Sequence, residues 1–191
     1  MLIIIFMKVF YKQNAKNEVQ SKLVSNLYDV LGGNLPIIVC IGTDAVIGDS
    51  LGPLVGSMLK GLLKGKTYIF GTVESPITAK EVGYVAEFVK NAYPNTPILA
   101  IDAALGKKEE IGSIKITKTP IKPGLGVDKD LAEIGTASII GVVEEREKGK
   151  RLLSLVRLSL VYEQAMTISS AIHEYITTCN EKEQTSFKNA R

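Results

Sequence analysis

The sequence contains few of the residues on which several common reaction mechanisms depend. Its 191 residues include one histidine, His173, and two cysteines, Cys40 and Cys179. Catalysis by a serine–histidine or cysteine–histidine pair would therefore have to use His173, although a lone histidine on an amphipathic helix is more often a structural residue. The cysteines form neither a CxxC pair nor a spacing typical of zinc sites, so we expect a reduced, cytoplasmic protein without disulfides.

Net charge and long apolar runs are also scarce. The chain carries 23 basic and 20 acidic side chains, a net charge of +3, and it has no basic run with interleaved aromatic residues. We therefore expect no nucleic-acid partner. The apolar start MLIIIFMKVF is far shorter than the ~20 residues of a membrane span and has neither a basic beginning nor a following cleavage site. It predicts a short strand, or a start-site extension ahead of Met7, and no membrane contact.

Apolar residues recur in a way that predicts alternating strands and helices. Continuous apolar runs predict buried strands at 36–41, 97–103 and 137–143, and a further strand is predicted at 67–72. Helical spacing predicts helices at 17–31, 54–63, 78–93 and 150–178. Because parallel strands require crossover helices, we expect a three-layer α/β/α sandwich with a mostly parallel, mixed sheet.

Two further predictions concern an additional strand and the bounds of the domain. The segment 111–117 alternates apolar and polar residues, which is typical of a strand with one face in solvent. We expect a single domain over 1–191, because no linker separates two parts of the chain. Its core would extend from about 20 to 178, and the polar residues 180–191 would form a flexible tail.

Three loops of the predicted sheet carry candidate site residues. In parallel sheets, sites form beyond the carboxyl ends of the strands. The first loop lies in IVCIGTDAVIGDSLGP and holds Asp44 and Asp49, the second begins with Asp102 directly after a strand, and the third is TPIKPGLG at 119–126. Two carboxyl groups brought together there would share a proton, an arrangement that activates water for attack on a peptide bond. The same pair could instead hold a divalent metal, because hard cations bind oxygen ligands.

Each acid also has a structural interpretation. Asp49 lies three to four residues before the predicted helix and could simply cap its N-terminus. Asp102 could be a structural acid that accepts hydrogen bonds from backbone N–H groups at a strand end. Asp44 stands within Thr-Asp-Ala, which is more typical of a turn than of a catalyst. The glycines around these acids match neither a P-loop nor a GxGxxG motif, so no nucleotide cofactor is predicted.

Three blocks of the sequence resemble, in the same order, the signatures of the germination protease family, an aspartic-type spore endopeptidase. They are IGTDAVIGDSLGP, ILAIDAALG and TKTPIKPGLGVDKD. The matching residues are Gly42, Asp49, Leu51, Gly52, Pro53, Asp102, Ala103, Pro123, Gly124, Gly126 and Val127. From about Gln20 to Ile176 the chain also resembles the shorter spore protease YyaC family of sporulation proteins. A more distant likeness is to the hydrogenase maturation endopeptidases.

The resemblance implies a phosphorylase/hydrolase-like fold and a sporulation-associated endopeptidase in the cytoplasm of the developing spore. Its substrate would be a protein or peptide, such as the small acid-soluble spore proteins. Asp49 and Asp102 would form the catalytic pair. Substrate-binding residues are expected at Gly42, Thr43, Thr119, Lys122, Gly124 and Gly126. No metal or other cofactor is expected, because the middle of this chain lacks the histidine that completes a nickel site in the maturation endopeptidases.

Departures from the family pattern leave a second function open. Thr43, Ile47 and Lys118 stand where the family signatures have asparagine, threonine and aspartate, respectively. These losses would fit a non-catalytic descendant that binds a peptide or protein during sporulation. Hydrolysis of another acyl bond, such as that of peptidyl-tRNA, is a third interpretation, against which the small net charge argues. The long apolar helix from Leu152 to Ile176 would suit contact with a partner subunit in a homo-oligomer.

Overall fold

A mixed sheet of six strands lies at the centre of the fold, and the computed structural model describes residues 7–10, 16–123, 132–146 and 155–189. The strands are β1 (Met7–Phe10), β2 (Ile37–Cys40), β3 (Ile69–Phe70), β4 (Ile98–Gly106), β5 (Ser113–Thr117) and β6 (Ala137–Glu145). The helices are α1 (Lys16–Leu31), α2 (Leu51–Leu63), α3 (Val82–Ala92) and α4 (Leu158–Asn189). The order across the sheet is β1-β5-β6-β4-β2-β3, in which β3, β2, β4 and β6 are parallel.

Two hydrophobic cores lie on opposite faces of this sheet. On one face α1, α2 and α4 contribute buried residues such as Leu59 and Ile172, which share a core with Ile101. On the other face α3 contributes Val89, which shares a core with Val39. Successive residues of the central strands alternate between the two cores, which is why these strands are apolar throughout. The predicted three-layer α/β/α sandwich with a mostly parallel, mixed sheet is therefore confirmed.

Strand β5 runs antiparallel to β6, and this corrects the expected position of the third loop. The connection from β4 to β5 spans only 107–112, too short for the crossover that a parallel strand would need. As a result Thr117, the last residue of β5, pairs with Ser138 near the beginning of β6. The third loop thus leaves the sheet at the amino ends of the parallel strands. Asp49 and Asp102 lie at their carboxyl ends.

Several predicted boundaries also differ from the structure. β4 continues to Gly106, so Asp102 lies within the strand and not directly after it. β3 has only two residues, far fewer than the predicted segment 67–72. α4 continues to Asn189, past the predicted helix end at 178 and into the predicted tail.

The alternating pattern of β5 also has a different cause from the one predicted. Ser113 and Thr117 are buried, and Lys115 is half-buried in an ion pair with Glu110 at 3.2 Å. The polar face of β5 is therefore largely covered by protein.

Among the helices of the described residues, none is long and apolar enough to cross a membrane.

Helix α2 packs closely against the ends of β2 and β3 because glycines remove side chains at the contacts. A Cβ atom on Gly52 would overlap the carbonyl oxygen of Ile41, and one on Gly56 would overlap that of Gly71. Any larger residue at these two positions would push the helix away from the sheet. The close packing determines where the residues immediately before α2 lie, and Asp49 is among them.

Candidate active site

The loop after β2 is held in one conformation by Gly42 and by backbone hydrogen bonds. Gly42 has a φ of +133°, a region that residues with a side chain rarely adopt, and its N–H donates to the carbonyl of Ile77 at 2.9 Å. A Cβ atom on Gly42 would overlap the carbonyl oxygen of Asp49. The N–H of Thr43 donates to that same oxygen at 3.1 Å. The loop therefore folds back on itself, and Asp49 lies directly beside the end of β2.

Asp49 does not cap helix α2. It is the last residue of a short 3-10 helix, Ile47–Asp49, and Ser50 occupies the N-cap position. No side-chain hydrogen bond caps α2, and the Thr43 N–H that lies near the Asp49 carboxylate donates to the Asp49 backbone carbonyl at 3.1 Å. The capping interpretation of Asp49 is therefore wrong, and its carboxylate remains partly exposed.

Asp102 lies at the point where β4 extends beyond its neighbour β2. The pairing of β2 with β4 ends at Cys40 opposite Ile101, whereas β6 continues to pair with β4 and places Ile140 opposite Asp102. The Asp102 carboxylate accepts the N–H of Ala103 at 2.8 Å. Asp102 keeps part of its surface exposed although protein surrounds it on most sides. It therefore borders the space that opens where β2 ends.

Topology places both acids at the switch point of the sheet. From β2 the chain passes through α2 to β3 on one side, and it later returns through α3 to β4 on the other side. Because α2 and α3 cover opposite faces, a crevice is expected between the carboxyl ends of β2 and β4. Ligands of open α/β sheets bind in such crevices, and Asp49 and Asp102 are at this one.

The two carboxyl groups have raised pKa values, for related reasons. Burial raises the pKa of Asp49 to about 6, against the opposing effect of the nearby backbone N–H of Thr43. Burial also raises the pKa of Asp102 well above its ordinary value, and the nearby charge of Asp49 raises it further, while the N–H of Ala103 opposes both. The two carboxyl groups are thus close enough to influence each other. Asp102, which is subject to both effects, is the acid expected to keep its proton to higher pH.

The turn predicted at Asp44 is present, and its side-chain hydrogen bond comes from Thr43. The two residues Asp44 and Ala45 form a turn, and Asp44 is exposed. The hydroxyl of Thr43 accepts the N–H of Ala45 at 3.2 Å, so Thr43 makes the side-chain bond in this turn. Gly42 and Thr43 therefore support the position of Asp49, and their direct contact with a substrate stays a prediction.

The remaining predicted substrate-binding residues lie on or near the third loop. The hydroxyl of Thr119 shares a hydrogen bond with that of Thr117 at 3.0 Å, and its carbonyl accepts the hydroxyl of Ser138 at 3.0 Å. Lys122 pairs with Glu133 at 3.7 Å. Both residues thus have contacts within their own part of the fold, and their contact with a substrate stays a prediction. Gly124 and Gly126 lie outside the described residues.

His173 lies at the end of the sheet opposite the two acids. Two residues further along α4, the hydroxyl of Tyr175 donates to the carbonyl of Asn34 at 2.9 Å, just before β2 begins. Asp49 and Asp102 lie beyond the other end of β2. The structure therefore does not bring His173 to Asp49 and Asp102.

The donor set around the two acids does not match a transition-metal site. Among the described residues there is no group of three or more histidine, cysteine, aspartate or glutamate side chains that could hold a metal ion. A catalytic transition-metal site usually has three protein ligands, and Asp49 and Asp102 supply two. No step of the mechanism below is therefore assigned to a metal.

Comparison with known proteins identifies the family of this chain. A family model described as "Protein of unknown function (DUF1256)" matches residues 7–171. The chain belongs to this family. "Uncharacterized protein YyaC" of Bacillus subtilis (strain 168) is 35% identical to it over 159 residues, which is 83% of this chain and 77% of that protein. The resemblance to YyaC is thus confirmed.

A solved structure shares the fold of this DUF1256 chain. It is the [NiFe] hydrogenase maturation protease HycI from Thermococcus kodakarensis KOD1, with a TM-score of 0.50 and 21% sequence identity. The similarity covers 79% of this chain and 98% of that one. The expected relationship to the hydrogenase maturation endopeptidases is confirmed at the level of the fold.

Proposed function

We propose that this protein is a sporulation-associated endopeptidase in which Asp49 and Asp102 activate water. The observation that supports the proposal is the pair of partly exposed aspartates at the switch point, whose carboxyl groups both have raised pKa values and influence each other. Pairs of titratable groups with separated pKa values commonly divide into a base and an acid. The fold shared with a protease, and the likeness to spore endopeptidase signatures, favour a peptide bond as the target.

The different surroundings of the two acids assign their roles, because Asp102 is subject both to burial and to the charge of Asp49. Asp49, with a pKa of about 6, is ionised at neutral pH and would take a proton from water as the water oxygen attacks the peptide carbonyl carbon. Asp102 would hold its proton and donate it to the carbonyl oxygen, which stabilises the tetrahedral intermediate. When the C–N bond breaks, the proton on Asp49 passes to the leaving nitrogen. Asp102 regains a proton from one hydroxyl of the intermediate, and both acids return to their starting state.

The proposed partners are small acid-soluble spore proteins, acted on in the cytoplasm of the developing spore. Incubation of the purified protein with these substrates tests the activity, with and without a chelator. We expect Asp49→Asn and Asp102→Asn each to reduce cleavage by about 10²- to 10⁴-fold, the usual contribution of a general acid or base. Asp44→Asn is the matched control, because Asp44 lies in the same loop but is exposed in a turn.

The same experiment separates hydrolysis from simple binding. Cleavage at the parental rate by both Asn variants would rule out the aspartate mechanism. Binding of the spore proteins without cleavage by the parent would replace the endopeptidase proposal with a peptide-binding function. Loss of parental cleavage only in the presence of chelator would point to metal-dependent hydrolysis.

A further inference from the structure

Strand β4 extends past the end of β2 and leaves one of its edges without a partner strand. Pairing with β2 stops at Ile101, whereas pairing with β6 continues to Gly106. Burial changes at the same point, since 98–101 are buried and 102–106 are partly exposed. Within the described ranges, no strand pairs with β4 on the β2 side beyond Ile101. A short edge without a partner strand, called the open edge below, therefore begins at the residue proposed as the catalytic acid, and the 3-10 helix Ile47–Asp49 packs against β4 beside it.

Hydrogen bonds on either side of this segment show which backbone groups point to the open edge. The carbonyl of Ile101 accepts the N–H of Ile41 at 2.8 Å, on the β2 side. The carbonyl of Gly106 accepts the N–H of Arg146 at 2.9 Å, on the β6 side. Backbone groups of successive strand residues alternate in direction. Odd-numbered residues of β4 therefore point toward the β2 side, and even-numbered residues point toward β6.

Ala103 and Leu105 are the two residues whose backbone groups point to the open edge. The pairing of β4 with β6 has a bulge, in which Val143 is an extra residue on β6. Because the extra residue is on β6, the backbone groups of β4 continue to alternate in direction. The N–H of Ala103 donates to the Asp102 carboxylate at 2.8 Å. The carbonyl of Ala103 and both backbone groups of Leu105 have no hydrogen-bond partner in the part of the chain that the structure describes.

We propose that an extended segment of the substrate binds along Ala103–Leu105 of β4 as an additional strand. Unpaired donors and acceptors at strand spacing are the groups that an added peptide strand satisfies. This inference rests on the proposed function, because strand addition here would place a peptide bond next to Asp102 and Asp49. Binding through the backbone would orient the peptide carbonyl toward the two carboxyl groups.

Beyond Leu105 the open edge leads to a pocket of about 620 Å³ at the end of β4. Glu110 in this pocket is already engaged, because it pairs with Lys115 at 3.2 Å and accepts the N–H of Lys107 at 3.1 Å. The other charged side chains that line it are Lys107, Lys108, Arg146, Glu109 and Glu145. None of these five makes an ion pair with the described residues. Because three are basic and two acidic, the pocket favours an acidic side chain of the bound peptide.

Single N-methylation of a bound peptide tests the binding mode directly. The Asp49→Asn variant would bind its peptide without cleaving it, and the probes are short synthetic peptides that tile a small acid-soluble spore protein. For the peptide that binds most tightly, we expect methylation at two positions, two residues apart, to weaken binding by about tenfold and at the position between them by much less. The reason is that only alternate N–H groups of an added strand face β4. Losses without this two-residue period, or no binding by any of the peptides, would overturn the proposal.

A proline substitution tests the same edge from the side of the protein. Leu105→Pro removes an N–H that points to the open side, so the hydrogen bonds between β4 and β6 remain. We expect peptide binding about tenfold weaker than in Leu105→Ala, which loses the side chain but keeps the N–H. The two variants should have similar thermal stability. Equal binding by both would contradict strand addition, and if Leu105→Pro does not fold, the N-methylation series decides.

Charge reversal tests the pocket, and the combined results separate this inference from the proposed function. Arg146→Glu should reduce several-fold the preference for an acidic over a neutral side chain in the same peptides, and an unchanged preference would remove the pocket from the proposal. Periodic losses on N-methylation without hydrolysis by the parent would keep strand addition and reject the endopeptidase. Hydrolysis by the parent without periodic losses would keep the endopeptidase proposal and reject strand addition.

Discussion

The loops that follow β2 and β5 have similar sequence signals and lie at opposite ends of the sheet. Both are rich in glycine and both match a block of the germination protease signatures. The loop after β2 leaves a parallel strand and places Asp49 beside Asp102. The loop after β5 leaves an antiparallel strand. Thr119 in this loop therefore lies at the amino ends of the parallel strands. A motif after a strand thus belongs to a site only if the strand points toward that site.

The largest effect in this comparison is expected from Gly42→Ala in the loop after β2. The new Cβ would overlap the Asp49 carbonyl and would require a strained backbone at a φ of +133°. We expect a loss of about 3 kcal/mol of unfolding free energy and a strong loss of cleavage, measured by urea denaturation and by peptide hydrolysis. Gly61→Ala in α2 is the matched control, because its Cβ would meet open space. It should stabilise the protein by about 1 kcal/mol, and equal losses in both variants would contradict this account.

The next effect is the pH dependence of cleavage. Because Asp49 must be ionised and its pKa is about 6, kcat/KM should rise about tenfold per pH unit below pH 6. It should fall again at higher pH, where Asp102 loses the proton that it donates. The two inflections belong to the interacting pair, so each is assigned by repeating the profile on Asp49→Asn and Asp102→Asn. A rate that does not change between pH 5 and pH 7 would contradict the proposed base.

A smaller effect is expected on the unfolding free energy, which Asp49 should lower as the pH rises. An acid held in an ion pair would instead raise it. Folding raises the pKa of Asp49 from about 4 to about 6, so between these values the folded state binds more protons than the unfolded state. This contribution to stability is complete below pH 4 and is lost as the pH rises through 6. Asp49→Asn should therefore stabilise the protein by about 1–3 kcal/mol at pH 8 and by much less at pH 4. Destabilisation at pH 8 would show that the Asp49 charge is favourable in the fold.

The smallest effect is expected in the loop after β5. Thr119→Val removes a hydroxyl that shares a hydrogen bond with Thr117, and it should cost about 1 kcal/mol of unfolding free energy. Cleavage at saturating substrate should change by less than about threefold, since the structure shows no contact of Thr119 with the acids. A loss as large as that of Asp102→Asn would mean that the third loop reaches the substrate, as the sequence predicts.

Much of the site could be predicted from single segments of the chain. The apolar runs around Ile38 and Leu99 identify the two parallel strands, and Asp49 and Asp102 follow from their positions after those runs. The open edge of β4 was missed, although its signal is present in the sequence. The run ILAIDAALG remains apolar after Asp102, which indicates a strand longer than its neighbour. The pocket beyond it could not be predicted, because its lining comes from three separate segments.

By itself the sequence determined the alternation of strands and helices and the place of each acid along the chain. These depend on local spacing and on the apolar character of short segments. The tertiary structure alone decided that β5 reverses direction, that Asp49 raises the pKa of Asp102, and that β4 has an open edge. Each of these three features depends on which strands are neighbours in the sheet and on where each strand ends. Strand pairing joins residues that are far apart in the chain, so local sequence patterns do not determine it.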